Sequence, residues 1–150
     1  MTERGIELIK KFEGFSSMIY FCPAGYPTIG YGHVVLPEER ERFGNGITKD
    51  EGEELLKSDL MRFERLIKSN LKAVKLHEYC FDAVISFTYN IGFYAFRAST
   101  LRRKIINGEL LSAGDEFLRW VYAGGKRLKG LVVRRYLERE LFLEGVNNVI

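Results

Sequence analysis

The sequence predicts an α+β fold, in which a small antiparallel β-hairpin lobe and a larger helical lobe are joined by a long helix, with a cleft between the lobes. Three observations predict it. Residues 18–35 combine aromatic and β-branched side chains with turn-forming residues. From residue 48 onward, apolar side chains recur at helical spacing. The chain has 150 residues, which is the length of one domain with a substantial core.

The N-terminal part is predicted to form a helix followed by a hairpin. Thr2 can cap the helix, which is expected to end near Glu13 and Gly14. A turn at residues 23–25 should connect the strands of a small antiparallel sheet, and residues 36–46 should form a loop.

The remainder of the chain is predicted to be helical. Thr48 and Glu51 form a capping box that starts a helix of about 20 residues, which should connect the two lobes. Residues 76–91 are apolar nearly all round and predict a central buried helix. Further helices are predicted from residue 99 to the glycine at 108, over 110–122 before the glycines at 124 and 125, and over 131–143 before the glycine at 145. A single domain is expected, with one lobe at about 13–60 and the other at about 61–150 plus the N-terminal helix.

The composition argues against several classes of protein. No uncharged stretch is continuous enough to span a membrane, and the N-terminus lacks the apolar run of a secretory signal. We therefore expect a protein that is made in the cytoplasm without a signal peptide. The two cysteines are too few for a disulfide framework or a zinc cluster. Cys80, in an apolar run, is expected to be a buried structural thiol.

Basic side chains are concentrated in residues 97–139, which we call the basic segment. It holds eleven basic and four acidic residues, a net charge of +7. Such a segment suits a polyanionic partner such as nucleic acid, an anionic wall or a membrane surface, although solvated helix faces would give the same pattern. No nucleic-acid recognition motif accompanies it.

Glu13 is the first candidate for chemistry. A carboxyl group among aromatic side chains is partly desolvated, and Glu13 lies between Phe12 and Phe15. Desolvation favours the protonated carboxyl, which can give its proton to a glycosidic oxygen. On its position alone, a surface glutamate at a helix end is the simpler interpretation.

The segment 28–33, Thr-Ile-Gly-Tyr-Gly-His, is the second candidate. Two glycines weaken a strand, so their presence here has to be explained, for example by the close approach of a ligand or of another backbone. Thr28 and His33 bring a hydroxyl and an imidazole to this segment, and a structural role for His33 is the simpler interpretation. The sequence has neither the nucleophile motif of serine hydrolases nor a phosphate-binding loop.

Glu13-Gly14, Tyr20, Gly25 and the segment 28–33 together resemble the signature of the phage-type lysozymes, or endolysins, of glycoside hydrolase family 24. The resemblance extends over essentially the whole chain. Its further matches are residues 47–60, Phe81-Asp82-Ala83, Phe87, Asn90-Ile91-Gly92, Ser99-Thr100-Leu101, Arg119-Trp120, Gly130-Leu131, Arg134-Arg135 and Glu138. It implies a lysozyme-like fold and a bacteriolytic hydrolase.

The family's catalytic pattern is a glutamate, an aspartate nine residues later and a threonine six residues after that. Glu13 and Thr28 match this pattern, but the middle position is Cys22. The substitution removes the second carboxylate. Three alternatives follow. The Cys22 thiol ionises and takes over as base or nucleophile, or Glu13, Thr28 and the cleft carry most of the rate alone, or Cys22 is a neutral space-filler in a weakened or inactive wall-binding relative.

The resemblance implies a role for each matching residue. Glu13 would be the general acid that protonates the β-1,4 bond between N-acetylmuramic acid and N-acetylglucosamine, and Thr28 would hold the attacking water of an inverting reaction. His33 would be a supporting residue. An arginine would pair with the catalytic glutamate, and the candidates are Arg127, Arg134 and Arg135. The residues that fall at the family's substrate-binding positions are Tyr89, Asn90, Ser99 and Thr100.

The resemblance also implies partners. The substrate would be bacterial peptidoglycan, and a separate holin would release a monomeric enzyme from the host bacterial cytoplasm to the cell wall. Neither a metal nor an organic cofactor is implied, and nucleic acid is not an expected partner.

Overall fold

The computed structural model describes residues 1–148, and its fold is of the α+β class that the sequence predicts. The chain divides into two compact units. Unit 2 comprises residues 9–62, and unit 1 comprises residues 1–8 together with the chain from Phe63 onward. Helix α1 (Glu3–Glu13) and helix α3 (Lys49–Asn70) each contribute residues to both units.

Unit 2 contains the predicted antiparallel sheet. Its strands follow one another in the sheet as in the chain, and they are β1 (Ser16–Phe21), β2 (Pro27–Gly30) and β3 (His33–Val34). The sheet carries a small apolar core made of Ile29, Val35, Phe43 and Ile47.

Helix α1 begins and ends where the sequence predicts. The Thr2 hydroxyl accepts a hydrogen bond from the backbone N–H of Gly5 at 3.4 Å, which satisfies one of the donors left open at a helix N-terminus. At the other end, Gly14 follows Glu13 with a φ of 66°. This conformation is disfavoured for residues with a Cβ atom and ends the helix.

The segment 36–46 is not the loop that we predicted. It contains a 3₁₀ turn over Pro37–Glu39 and the short helix α2 (Arg40–Phe43). The turn of helix places the Phe43 side chain, 2% exposed, in the core of the sheet. Burial of this one aromatic ring accounts for helical structure in a stretch whose composition indicates a loop.

Helix α3 starts at the predicted capping box. The backbone N–H of Thr48 donates to the Glu51 carboxylate at 3.0 Å, and the backbone N–H of Glu51 donates to the Thr48 hydroxyl at 3.1 Å. The helix is 22 residues long, close to the predicted length.

Unit 1 is mainly helical. Its elements after α3 are α4 (Glu78–Ile91), α5 (Phe93–Arg97), α6 (Thr100–Ile106), α7 (Leu110–Glu116), β4 (Tyr122–Ala123), β5 (Lys126–Arg127) and α8 (Lys129–Asn147). Helix α4 is the predicted central helix, with Ala83, Val84, Ile85 and Phe87 fully buried. Helix α5 was not predicted. Among the described residues, no helix combines the length and apolar character that a bilayer-spanning segment needs.

The helix predicted over 110–122 is wrong in its second half. Helix α7 ends at Glu116, a 3₁₀ turn covers Phe117–Arg119, and β4 pairs with β5 in an exposed hairpin. Gly124 and Gly125 form its turn, with φ values of 57° and 77°. Two consecutive residues with positive φ are typical of a hairpin turn, so these glycines reverse the chain.

The last helix also differs from the prediction, because Gly145 lies within α8 instead of beyond its end. A Cβ atom at Gly145 would come within 2.7 Å of the Cys80 sulfur. The glycine therefore allows α8 to pack closely against α4, and Cys80 is the buried thiol that we expected.

Candidate active site

Cys22 lies where the hairpin of β1 and β2 turns. Its backbone N–H donates to the carbonyl of Tyr26 at 2.9 Å, and its own carbonyl accepts from the N–H of Gly25 at 2.8 Å. These two bonds close the turn that the sequence predicts at residues 23–25. They fix the Cys22 backbone next to the sheet, so its side chain has a defined direction.

Strand register brings three polar side chains to one face of the sheet. Tyr20 is the direct cross-strand partner of Thr28, and paired residues project to the same face. Cys22 follows Tyr20 by two residues, and side chains two apart in extended backbone share a face. Tyr20, Cys22 and Thr28 therefore lie together.

The Cys22 thiol, which is half-buried and not in a disulfide, ionises more readily than an ordinary thiol. Burial alone would raise its pKa, and this is the largest single effect. The nearby backbone N–H groups of Tyr26, Ala24 and Gly25 and the Thr28 hydroxyl stabilise the charged sulfur, and together they place the pKa of Cys22 below its ordinary value. Hydrogen bonds to the charged form favour the thiolate.

Thr28 is 3% exposed, and its hydroxyl has two acceptors in reach. One is the Tyr26 carbonyl, at 2.9 Å from Oγ1, and the other is the Cys22 sulfur. A hydroxyl has one hydrogen and two lone pairs. Whichever acceptor takes the hydrogen, Oγ1 keeps acceptor capacity for a further donor such as water.

Glu13 shares the neighbourhood of this face. It is the last residue of α1 and is half-buried. Burial raises the pKa of Tyr20, and the negative charges of Glu13 and Cys22 raise it further. Glu13 and Cys22 are therefore both close enough to Tyr20 for their charges to affect its ionisation. Sequence reasoning noted Tyr20 only as part of the family resemblance, and the β-strand alternation of Tyr20 and Cys22 was the signal that could have placed it in the site.

Aromatic contacts hold the part of the chain that follows Glu13. The Phe15 ring lies 5.3 Å from the Tyr31 ring and packs on Gly52, where a Cβ atom would come within 2.6 Å of it. The Tyr31 hydroxyl donates to Glu53 at 3.3 Å. These contacts hold the chain that follows Glu13 against α3.

Backbone conformation and backbone packing explain why position 30 is occupied by a glycine. It adopts a φ of 65°, and a Cβ atom there would lie 3.4 Å from Ile47 and 3.6 Å from the Cα of Gly52. Of the two reasons that the sequence left open, close approach of another backbone therefore applies to Gly30.

His33 lies between two carboxylates. Its Nδ1 is 2.7 Å from Asp59 on α3, and its Nε2 is 3.1 Å from Glu39. Burial lowers the pKa of His33, but the two carboxylates more than compensate, so the pKa lies above its ordinary value. This arrangement supports the structural interpretation of His33, because both ring nitrogens are engaged by the protein.

The four residues at family substrate-binding positions all lie in unit 1. Tyr89 packs edge-on against Phe63, with ring centroids 5.3 Å apart. Ser99 caps α6, since its hydroxyl accepts from the Arg102 N–H at 3.1 Å. The other two are Asn90, near the end of α4, and Thr100, the first residue of α6.

The candidate arginines have different environments. Arg127 is exposed on β5, whereas Arg134 and Arg135 are buried beside the fully buried Glu138. Arg134 Nε is 3.2 Å from Glu138, and Arg135 Nη1 is 2.7 Å from it. The pairing of one of these arginines with Glu13 stays a prediction. Sequence reasoning missed the cluster with Glu138, although the i,i+3 and i,i+4 spacing on a helix was visible.

No group of three histidine, cysteine, aspartate or glutamate side chains within residues 1–148 is arranged to hold a metal ion.

The chain is similar along most of its length to known proteins. The phage lysozyme family matches residues 10–138. The endolysin of Acyrthosiphon pisum secondary endosymbiont phage 1 is 38% identical over 146 residues, which is 95% of this chain and 97% of the relative. The SAR-endolysin of Enterobacteria phage P21 is 41% identical over 133 residues, which is 89% of this chain and 78% of the relative.

A solved structure is similar along nearly the whole chain. The muramidase domain of SpmX from Asticaccaulis excentricus superimposes with a TM-score of 0.82 at 34% identity, covering 95% of this chain and 96% of that domain.

Proposed function

Since this chain belongs to the phage lysozyme family and is a lysozyme-type hydrolase, we propose that it hydrolyses the β-1,4 bond between N-acetylmuramic acid and N-acetylglucosamine in peptidoglycan. The proposal assigns the chemistry to Glu13, Cys22 and Thr28. One observation carries it: strand pairing and the turn bring Cys22 and Thr28 to the sheet face of Tyr20, and Glu13 ends the helix that directly precedes this sheet.

Glu13 is the general acid. Its carboxyl proton passes to the glycosidic oxygen as the bond from that oxygen to the anomeric carbon of N-acetylmuramic acid breaks. The half-buried position of Glu13 at the end of α1 keeps the carboxyl partly shielded from water.

Cys22 takes the place of the family aspartate. A carboxylate at this position would carry negative charge near the sugar, and a thiolate carries the same charge. The hydrogen bonds from the turn and from Thr28 favour the thiolate, which supports a functional role over that of a neutral space-filler. We propose that the thiolate acts as a base.

Thr28 orients the attacking water. Its Oγ1 accepts a hydrogen bond from that water, whose oxygen forms the new bond to the anomeric carbon while its other proton passes to the Cys22 thiolate. Glu13 is then ionised and Cys22 is a thiol, and proton exchange with solvent restores both. Water attacks the face opposite the leaving oxygen, so the product is inverted.

The other site assignments follow the family positions. Tyr89, Asn90, Ser99 and Thr100 bind the glycan in unit 1, and His33 supports the sheet. We propose that the enzyme acts as a monomer. We further propose that it stays in the host bacterial cytoplasm until a separate holin gives it access to the wall.

The proposal is tested by loss of turbidity of permeabilised bacteria with the protein and two Cys22 variants. The parent should lyse the cells, Cys22→Ser should lose at least about tenfold because a serine hydroxyl does not ionise at neutral pH, and Cys22→Asp should retain or gain activity. Alkylation of the parent should abolish lysis.

Three outcomes would contradict the proposal in different ways. A parent that binds walls without lysing them would be the inactive wall-binding relative. Lysis by Cys22→Ser at the parent rate would remove the thiolate from the mechanism. Retention of configuration in the first product would replace the base by a thiolate nucleophile.

A further inference from the structure

Asn90 is exposed near the end of α4 and makes a hydrogen bond whose direction is fixed. Its Oδ1 accepts from Nη2 of Arg135. A guanidinium group has only donors, so the amide must present its oxygen to Arg135 and its NH₂ group elsewhere. Among residues 1–148, no protein acceptor engages that NH₂ group. The side chain therefore offers two hydrogen-bond donors at the surface.

Arg135 is itself held in place. It is 1% exposed, its Nε donates to the Trp120 carbonyl at 2.8 Å, and its Nη1 donates to Glu138 at 2.7 Å. Its guanidinium carbon lies 4.9 Å from the centre of the Phe87 ring. A side chain fixed on three sides cannot follow a rotation of the Asn90 amide.

The Asn90 oxygen is one of the acceptors in a cluster that is rich in hydrogen-bond donors. Glu138 also accepts from Ser86 at 2.6 Å and from Arg134 at 3.2 Å. One carboxylate thus serves two buried guanidinium groups. If the Asn90 amide were reversed, its NH₂ group would face the Arg135 guanidinium, and two hydrogen-bond donors would be opposed.

We propose that Asn90 donates a hydrogen bond to the acetamido carbonyl oxygen of the glycan, and that Arg135 is the positioning residue that holds Asn90 in this polarity. The inference rests on the proposed function, in which both sugars at the cleaved bond carry an acetamido group. A carbonyl oxygen only accepts hydrogen bonds, so it complements an amide that is restricted to donation.

The variant Asn90→Asp distinguishes donation of a hydrogen bond to the glycan from a purely structural role of Asn90. The carboxylate keeps an oxygen toward Arg135 and forms a charge-assisted bond, so the thermal midpoint of unfolding should rise. The second oxygen replaces the donor by an acceptor, so KM for peptidoglycan should rise by about tenfold or more while kcat changes little. Asn90→Ala removes both groups, so it should lower the midpoint and raise KM by about threefold.

Asn70→Asp is the matched control. Asn70 also accepts a hydrogen bond from an arginine, Nε of Arg102, in the same unit. The control makes the same change of charge beside an arginine, and its KM should equal that of the parent.

The experiment measures kcat and KM on purified peptidoglycan and on the same material after de-N-acetylation. Cleavage by the parent tests the proposed function independently. De-N-acetylation should raise KM for the parent but not further for Asn90→Ala. The inference would be overturned if Asn90→Asp kept the KM of the parent, or if its thermal midpoint of unfolding were unchanged or lower. It would also be overturned if de-N-acetylation raised the KM of Asn90→Ala by as much as it raises that of the parent.

Discussion

At the scale of single residues, His33 shows how a charged contact was hidden from sequence reasoning. The histidine was visible in the segment 28–33, but Asp59 and Glu39 lie 26 and 6 residues away along the chain. The sequence therefore supported a structural histidine without identifying the groups that hold it. Its two carboxylates link β3 to α3 and to the 3₁₀ turn.

The raised pKa of His33 makes its contribution to stability depend on pH. A histidine with a raised pKa in the folded state stabilises fully below its ordinary pKa of about 6.5, and this stabilisation is lost as pH rises through the folded value. His33→Gln should therefore lower the free energy of unfolding by about 2–3 kcal/mol at pH 5.5 and by less at pH 9.

Urea unfolding at the two pH values measures this difference. Val34→Ala, at an exposed neighbour in β3 with no titratable group, should have the same effect at both. An equal loss for His33→Gln at pH 5.5 and pH 9 would mean that the imidazolium is not what the carboxylates stabilise.

At the scale of elements, the sequence predicted those elements whose signals are local. The capping box at Thr48 and Glu51 and the turn at residues 23–25 act within a few residues, and both are found. In the sequence, Gly145 and the glycines at 124 and 125 give the same signal for the end of a helix. Only tertiary packing distinguishes a glycine that admits Cys80 from glycines that reverse the chain.

The candidate site, too, could be predicted from the sequence only where its signals are local. The spacing of Glu13, Cys22 and Thr28 identifies the residues, but the donors to the Cys22 sulfur come from turn geometry. The pairing of Arg135 with Asn90 joins helices 45 residues apart in sequence, so only the folded structure reveals it.

Two glycines of unit 2 allow the stability cost of backbone strain to be measured apart from the cost of steric crowding. Gly25 and Gly46 have nearly equal φ values, 87° and 86°, but a Cβ atom at Gly25 meets nothing within 4 Å, whereas one at Gly46 lies 2.8 Å from the Ser17 carbonyl. Gly25→Ala should cost about 1–2 kcal/mol from strain alone. Gly46→Ala should cost at least about 1 kcal/mol more, because the backbone must shift. Thermal unfolding compares the two variants, and equal losses of stability would show that strand β1 can shift at no cost in free energy.

At the scale of the whole molecule, the structure changes which charges of the basic segment are available. Arg134 and Arg135 are buried against Glu138, so they cannot contact an external polyanion. Lys126 and Arg127 are exposed on the β4–β5 hairpin. Attraction to an anionic wall should therefore depend on exposed residues of this kind.

Binding to intact sacculi should weaken by at least about threefold when salt shortens the Debye length from about 10 Å to about 3 Å. The double variant Lys126→Glu and Arg127→Glu should bind more weakly at low salt. Lys72→Glu with Lys75→Glu makes the same charge change at exposed positions outside the segment and serves as the control. Affinity independent of salt in a co-sedimentation assay would mean that the basic segment only keeps the protein solvated.

The central claim is that Glu13 protonates the bond on the N-acetylmuramic acid side of the glycan. Its most direct test is mass-spectrometric identification of the new reducing ends that the parent and Glu13→Gln release from purified peptidoglycan. The substitution keeps the shape of the side chain and removes its transferable proton, and general acid catalysis supplies about 10²–10⁴-fold. We expect reducing N-acetylmuramic acid ends from the parent and at least about a hundredfold fewer from Glu13→Gln. Reducing N-acetylglucosamine ends, or a Glu13→Gln variant that keeps more than about a tenth of the parent rate, would contradict it.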